Sequence, residues 1–201
     1  MFLFFAVIAG ALVLAVVVGG DVRRLSQIRV KHLELLIGAF GLKLVVALLG
    51  TAHSELAVNI ARPLNIVGAV LLLAVVWFNR RIPGALLFGA GLVLNLAAIV
   101  SFGGRMPVVL PSGMDPSSAR LAALRNGLDP LHVLLPQPYG PWFIGDIFSI
   151  PSLVGRSSLV SIGDILMASG IVWLIVQCSR RVPSTSHAVD RPAVVLKRSA
   201  K

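Results

Sequence analysis

Cysteine, tyrosine and acidic residues are scarce in this 201-residue chain, and these scarcities narrow the class of protein. The single cysteine, Cys178, excludes an internal disulfide and any metal site built from several thiolates. Charged residues make up only 13% of the chain, whereas a soluble domain carries about 25%. Hydrophobic residues reach 57%, in long blocks. The composition therefore predicts an integral membrane protein.

Five apolar runs have a length suited to crossing a bilayer, which needs roughly 17 to 25 residues. We predict an all-α, polytopic membrane helix bundle whose transmembrane domain covers residues 1–178. The first run has no basic n-region and no small-residue cleavage site, so we expect a retained helix. The predicted spans are residues 2–18, 33–50, 64–78, 84–101 and 159–177.

Lysine and arginine are distributed unequally between the two sides of this five-helix arrangement. The first loop, the third loop and the C-terminal segment together hold twelve basic residues, and the opposite side holds five. Because basic residues are retained in the cytoplasm, we expect the N-terminus outside. Residues 179–201 are then a basic, disordered cytoplasmic tail. Topology and anionic lipids account for the net charge of +10, so no nucleic-acid partner is expected.

A long connection, residues 102–158, separates the fourth and fifth spans and holds eight of the twelve prolines. Connections of this length are usually functional or disordered. The apolar stretches Leu131–Leu135 and Trp142–Ile144 argue against disorder. We therefore expect a partly ordered external cap.

Three polar residues fall at nearly the same predicted depth in three spans. At about 1.5 Å per residue, Asp164, Asn95 and Lys43 lie roughly 8, 9 and 10 Å from the outer helix ends. Polar groups inside a membrane normally face the bundle interior and pair, so we expect the three to converge. A Lys43–Asp164 ion pair could fix helix packing, or Lys43 could extend to the interface. A third hypothesis is an outward-facing functional site.

The tripeptide Gly-Asp-Ile occurs twice, as Gly145-Asp146-Ile147 in the cap and Gly163-Asp164-Ile165 in the last span. We expect Asp146 to be solvated and Asp164 to lie in apolar surroundings. Two carboxylates in different environments can divide acid and base roles. The four histidines show no metal-ligand spacing, and no phosphate-binding glycine loop is present, so neither a metal nor a cofactor is expected.

Several motifs resemble a family of small bacterial membrane proteins catalogued only as a domain of unknown function. They include Gly103-Gly104-Arg105-Met106-Pro107-Val108 and Ser161-Ile162-Gly163-Asp164-Ile165-Leu166. The resemblance extends over nearly the whole chain. It implies a multi-pass protein of the bacterial inner membrane and no established activity.

The C-terminal part is also distantly similar to signal peptidase II, an intramembrane aspartyl protease. That resemblance implies Asp146 and Asp164 as a catalytic dyad, with Asn95 on the preceding helix and Gly170 six residues after the second aspartate. The chain departs from the pattern at Val160-Ser161, where that family has Phe-Asn.

These observations favour a non-enzymatic protein: a scaffold, an accessory subunit, or a binder of lipid or another small ligand. The expected partners are membrane lipids, other membrane proteins or a second copy of the chain. The alternative is an aspartyl protease that uses Asp146 and Asp164, and a small transporter is third.

Overall fold

The computed structural model describes residues 2–52, 54–109, 119–150 and 158–180, and these are mostly helical. The helical class predicted from the apolar runs is confirmed. Short 3₁₀ turns lie at Val22–Gln27, Gly50–Ala52 and Trp142–Ile144. The α-helices are α1 (Phe2–Val17), α2 (Leu33–Leu49), α3 (Glu55–Phe78), α4 (Ala85–Ser101), α5 (Ala119–Arg125) and α6 (Ile162–Ser179).

The starts of helices α3 and α6 differ from the prediction by three residues or more, and a capping serine explains each. Helix α3 begins at Glu55, nine residues before the predicted span, because the Ser54 side chain accepts a hydrogen bond from the Ala57 N–H at 3.2 Å. The helix continues through Pro63, although proline lacks a backbone donor and its ring crowds the carbonyl of the preceding turn. Helix α6 begins at Ile162 after the cap residue Ser161. The predicted tail beyond Arg180 lies outside the described residues.

Helices α3 and α6 are long and apolar enough to cross a membrane, judged by length and composition. Shorter apolar helices cover Phe4–Val17 and Ala85–Ser101. The main helix contacts follow the spatial order α1, α6, α4, α3, α2.

The connections at one end of this row carry most of the described basic residues, and we call this the basic end: residues 18–32, 79–84 and Arg180. Hydrogen bonds tie it together. The Asp21 N–H donates to the Ser179 carbonyl at 2.7 Å, and the Lys31 N–H donates to Asn79 Oδ1 at 2.8 Å. The opposite end, which contains the described part of residues 102–158, is the cap end.

Glycines bring α4 and α6 unusually close together. A β-carbon on Gly84 would overlap the Gly170 carbonyl, and one on Gly91 would overlap the Gly163 carbonyl. Gly91 on α4 and Gly84, the residue that precedes α4, thus face Gly163 and Gly170 on α6, and the two glycines on each side are seven residues apart. Small residues of this kind allow membrane helices to approach at backbone distance.

Four short strands give the cap its order. Strand β1 (Met106–Val108) pairs in parallel with β2 (His132–Leu134), and β3 (Phe148–Ile150) pairs antiparallel with β4 (Ser158–Val160). Residues 158–160 are thus extended, whereas the last predicted span, residues 159–177, required residues 159 and 160 to be helical. An isolated bridge between Val108 and Asp146 adds a third segment to the first pair.

Candidate functional site

The first polar cluster joins α4 to the start of α6. Asn95 Nδ2 donates to Asp164 Oδ1 at 2.9 Å, and Ser161 Oγ donates to Asn95 Oδ1 at 2.8 Å. Ser161 and Asp164 also form a reciprocal capping box, with the Ser161 N–H on Asp164 Oδ2 and the Asp164 N–H on Ser161 Oγ. Both carboxylate oxygens of Asp164 therefore accept hydrogen bonds that stabilise the helix start and the α4–α6 contact.

The second polar cluster joins α2, α3 and the cap. Lys43 Nζ donates to Asn65 Oδ1 at 2.5 Å, and Asn65 Nδ2 donates to the Gly104 carbonyl at 3.2 Å. Asn65 is 2% exposed. Asn65 could not be identified from the sequence, because the third span was predicted to begin at residue 64, which made Asn65 a terminal polar residue. The capping serine at position 54 is the signal that could have revealed it.

Lys43 and Asp164 belong to these two separate clusters. Within the described ranges the only ion pairs within 4.0 Å involve histidines, so Lys43 and Asp164 are not paired directly. An electrostatic interaction still links the two charges. Of the three residues expected to converge, Asn95 and Asp164 are joined by a hydrogen bond. Lys43 instead donates to the amide oxygen of Asn65.

Asp146 is 6% exposed and Asp164 is half-buried, so the first Gly-Asp-Ile copy is not the solvated one that was expected. The Asp146 N–H donates to the Pro107 carbonyl at 2.9 Å, and this hydrogen bond holds the aspartate inside the cap. Its Oδ2 lies 3.6 Å from His132 Nε2. The expectation of a freely solvated Asp146 was wrong because short strands bury it.

His132 stands between two carboxylates. Its Nδ1 lies 3.1 Å from Asp129 Oδ1, on the opposite side of the ring from Asp146. Burial alone would raise the pKa of Asp129, but hydrogen bonds and charge from His132, together with the N–H of Leu131, outweigh it and lower that pKa. No ligand spacing in the sequence marks His132, so this arrangement could not be predicted from the sequence. Over the described ranges, no group of three or more His, Cys, Asp or Glu side chains could hold a metal ion.

The glycine-arginine motif of residues 103–107 packs its backbone on α3. Gly104 has φ +89°, and a β-carbon there would lie 2.7 Å from Arg62 Cβ. The next residue, Arg105, donates from Nη1 to the Gly127 carbonyl at 3.0 Å. Burial lowers the pKa of Arg105, the charge of Arg62 lowers it further, and Asp129 acts in the opposite direction. Met106 and Pro107 are buried within the cap.

An apolar groove of about 550 Å³ runs along α1 and α6. Val7 and Leu14 line one wall, and Trp173 and Val176 line the other. The groove has few polar atoms that could orient a polar ligand, so it suits hydrocarbon.

The fold and the two clusters define a mostly helical protein, with two helices able to cross a membrane and an ordered cap bonded to the helix core. The chain belongs to the family described as "Family of unknown function (DUF5317)", whose model matches residues 27–176. No match was found among curated proteins or solved structures. The resemblance to a family of unknown function is thereby confirmed, and the one to signal peptidase II gains no support.

Proposed function

We propose that the chain is a multi-pass membrane protein with five spanning helices, an external N-terminus and an external cap. The concentration of basic residues at one end supports this orientation, because such residues stay in the cytoplasm. Large apolar side chains on the helix surfaces support the membrane setting. Phe40, Leu86 and Trp173 lie on three different helices and are each more than half exposed, and extensive exposed apolar surface marks sites of contact with a membrane or another protein.

The function that the geometry supports best is binding, by a cap held rigidly on the membrane domain. The observation that carries this proposal is the hydrogen bond from Asn65 to the Gly104 carbonyl, which fixes the motif at residues 103–107 on the helix core. A buried amide with both ends satisfied orders its surroundings. The cap therefore presents Arg105 and its neighbours in a preformed arrangement, which reduces the entropic cost of binding a ligand.

The polar cluster of the α4–α6 contact has a packing role in this proposal. Asn95 donates to one carboxylate oxygen of Asp164, and the Ser161 N–H donates to the other. Ser161 Oγ also donates to the amide oxygen of Asn95, so the groups that chemistry at Asp164 would need are already hydrogen-bonded to each other. The contacts described for Asp146 are made within the cap, to Pro107 and His132. Nothing in this arrangement favours the protease alternative.

Cysteine labelling tests the orientation. In a Cys178→Ser background, Asn126→Cys places a thiol on the exposed cap and Gln27→Cys places one at the exposed basic end. A membrane-impermeant maleimide added to intact cells should label Asn126→Cys, and should label Gln27→Cys only after permeabilisation. The opposite pattern, or labelling of both before permeabilisation, would overturn the proposed topology.

Purification in mild detergent followed by mass spectrometry tests the binding role. We expect a lipid or small molecule to be retained at a defined stoichiometry. Retention of a stoichiometric second protein would instead make the chain an accessory subunit, and the absence of any bound molecule would contradict the binding proposal.

A further inference from the structure

Two arginines from different parts of the chain meet at the cap end. Arg62 lies on α3, seven residues from its first residue, or about 10 Å along the helix axis. Arg105 follows Gly104, and a β-carbon on Gly104 would lie only 3.1 Å from the Arg62 Cα, so the motif needs a glycine at this contact. The charges of the two guanidinium groups act on each other. The close approach at Gly104 therefore makes Arg105 a neighbour of Arg62, and their like charges repel each other.

The two side chains also have unused hydrogen-bonding capacity. The Nε atoms of Arg62 and Arg105 are buried, and neither has a hydrogen-bond partner in the part of the chain that the structure describes. Leaving a buried donor unsatisfied costs free energy. Among the described residues, no carboxylate lies within 4.0 Å of either guanidinium group.

Asp129 is an acidic group that acts on Arg105, and its Oδ1 atom already accepts hydrogen bonds within the cap turn. Oδ1 accepts hydrogen bonds from the N–H groups of Leu131 and His132, both at 2.8 Å, and faces the His132 ring. Asp129 therefore orders the cap turn, and among the described residues this one carboxylate stands against two guanidinium charges.

We propose that Arg62 and Arg105 form a binding site for a phosphate-type oxyanion. A guanidinium presents its N–H donors in a planar fork that matches the oxygen spacing of phosphate. An anion between the two would offset their repulsion and accept from the buried Nε donors. The inference deepens the proposed binding role by naming the chemical class of ligand. The phosphate belongs either to a phospholipid headgroup or to a soluble phosphate.

The test uses the full chain, delipidated in a neutral detergent. The midpoint of thermal unfolding is followed by tryptophan fluorescence while inorganic phosphate, or a short-chain phosphatidylglycerol, is titrated at constant ionic strength with chloride. The variants are Arg62→Gln and Arg105→Gln. The matched control is Arg125→Gln, because Arg125 is an exposed arginine on α5 of the same cap.

We expect the midpoint to rise with ligand in the wild type and in Arg125→Gln, and the ligand concentration needed for half the rise to increase at least about tenfold in either site variant. A response to phosphatidylglycerol alone identifies a headgroup site, and a response to inorganic phosphate alone identifies a soluble ligand. No response to either ligand, or an equal loss in Arg125→Gln, would overturn the proposal.

Two additions keep the test decisive. If a glutamine variant fails to fold, Arg62→Lys and Arg105→Lys retain the charge without the fork and should weaken the response. An unchanged response in both lysine variants would refute the role of the guanidinium pair. Because the measurement is made in detergent, it does not depend on orientation, so failed cysteine labelling and failed anion binding are distinguishable.

Discussion

Gly163→Ala is the sharpest perturbation that the structure offers. Gly163 is buried at the start of α6, where a β-carbon would lie 2.6 Å from the Gly91 carbonyl oxygen and would overlap Asn95 Oδ1. Backbone on one side and a hydrogen-bonded amide on the other leave the methyl group no flexible neighbour to displace. The helices must separate, or Asn95 must leave its position.

The expected cost follows from these contacts. Overpacking of a close contact costs about 1–3 kcal/mol. Displacing Asn95 weakens its hydrogen bonds to Asp164 and from Ser161, which average about 0.6 kcal/mol each between membrane helices. The better helix propensity of alanine returns roughly 0.5–1 kcal/mol. We therefore expect a net loss of about 1–3 kcal/mol in the free energy of unfolding.

The matched control is Gly41→Ala on α2, where a β-carbon would have nothing within 4 Å. That variant should be neutral or stabilised by up to about 1 kcal/mol. Unfolding in mixed micelles, titrated with a denaturing detergent and followed by tryptophan fluorescence, measures both. If Gly163→Ala were as stable as Gly41→Ala, the close α4–α6 contact would be wrong.

Two further predictions concern the second cluster and the cap. In a double-mutant cycle, Lys43→Met should couple more strongly to Asn65→Leu than to Asp164→Asn, because Lys43 donates to Asn65; equal or reversed coupling energies would contradict this. Acidification tests Asp129, whose pKa is lowered in the folded protein. A carboxylate of this kind stabilises the fold above its unfolded pKa and loses that contribution as the pH falls through its folded pKa. At pH values below about 4, the midpoint of thermal unfolding should therefore decrease more steeply with falling pH in the wild type than in Asp129→Asn. Equal slopes in the two proteins would contradict this role of Asp129.

The sequence located the helices better than the polar groups. Apolar runs report burial in a helix directly, so α1, α2 and α4 lie close to their predicted ranges. Side-chain partners depend on rotation about each helix axis, which depth alone does not fix. Asn95 and Asp164 were placed at one level and are hydrogen-bonded. Lys43 at the same level instead contacts Asn65, on a part of α3 that the prediction had assigned to its end.

The cap was harder to predict because its strands are only three residues long. Segments of this length show no clear alternation, so the sequence indicated order without indicating pairing. The burial of Asp146 follows from that pairing, since it depends on the bridge to Val108 and the hydrogen bond to Pro107. The proline-rich composition therefore suggested that Asp146 would be exposed to solvent, whereas backbone pairing within the cap buries it.

The repeated Gly-Asp-Ile now has a physical account in both places. In the first copy, residues 145–147, a β-carbon on the glycine would overlap the Pro107 carbonyl, which accepts from the next N–H at 2.9 Å. In the second, residues 163–165, a β-carbon would overlap Asn95, which donates to the following aspartate. Each glycine lets the backbone approach another element, and each aspartate uses that approach to form a hydrogen bond. The same local packing requirement, met once in a cap and once in a helix, explains the repeat without a shared catalytic role.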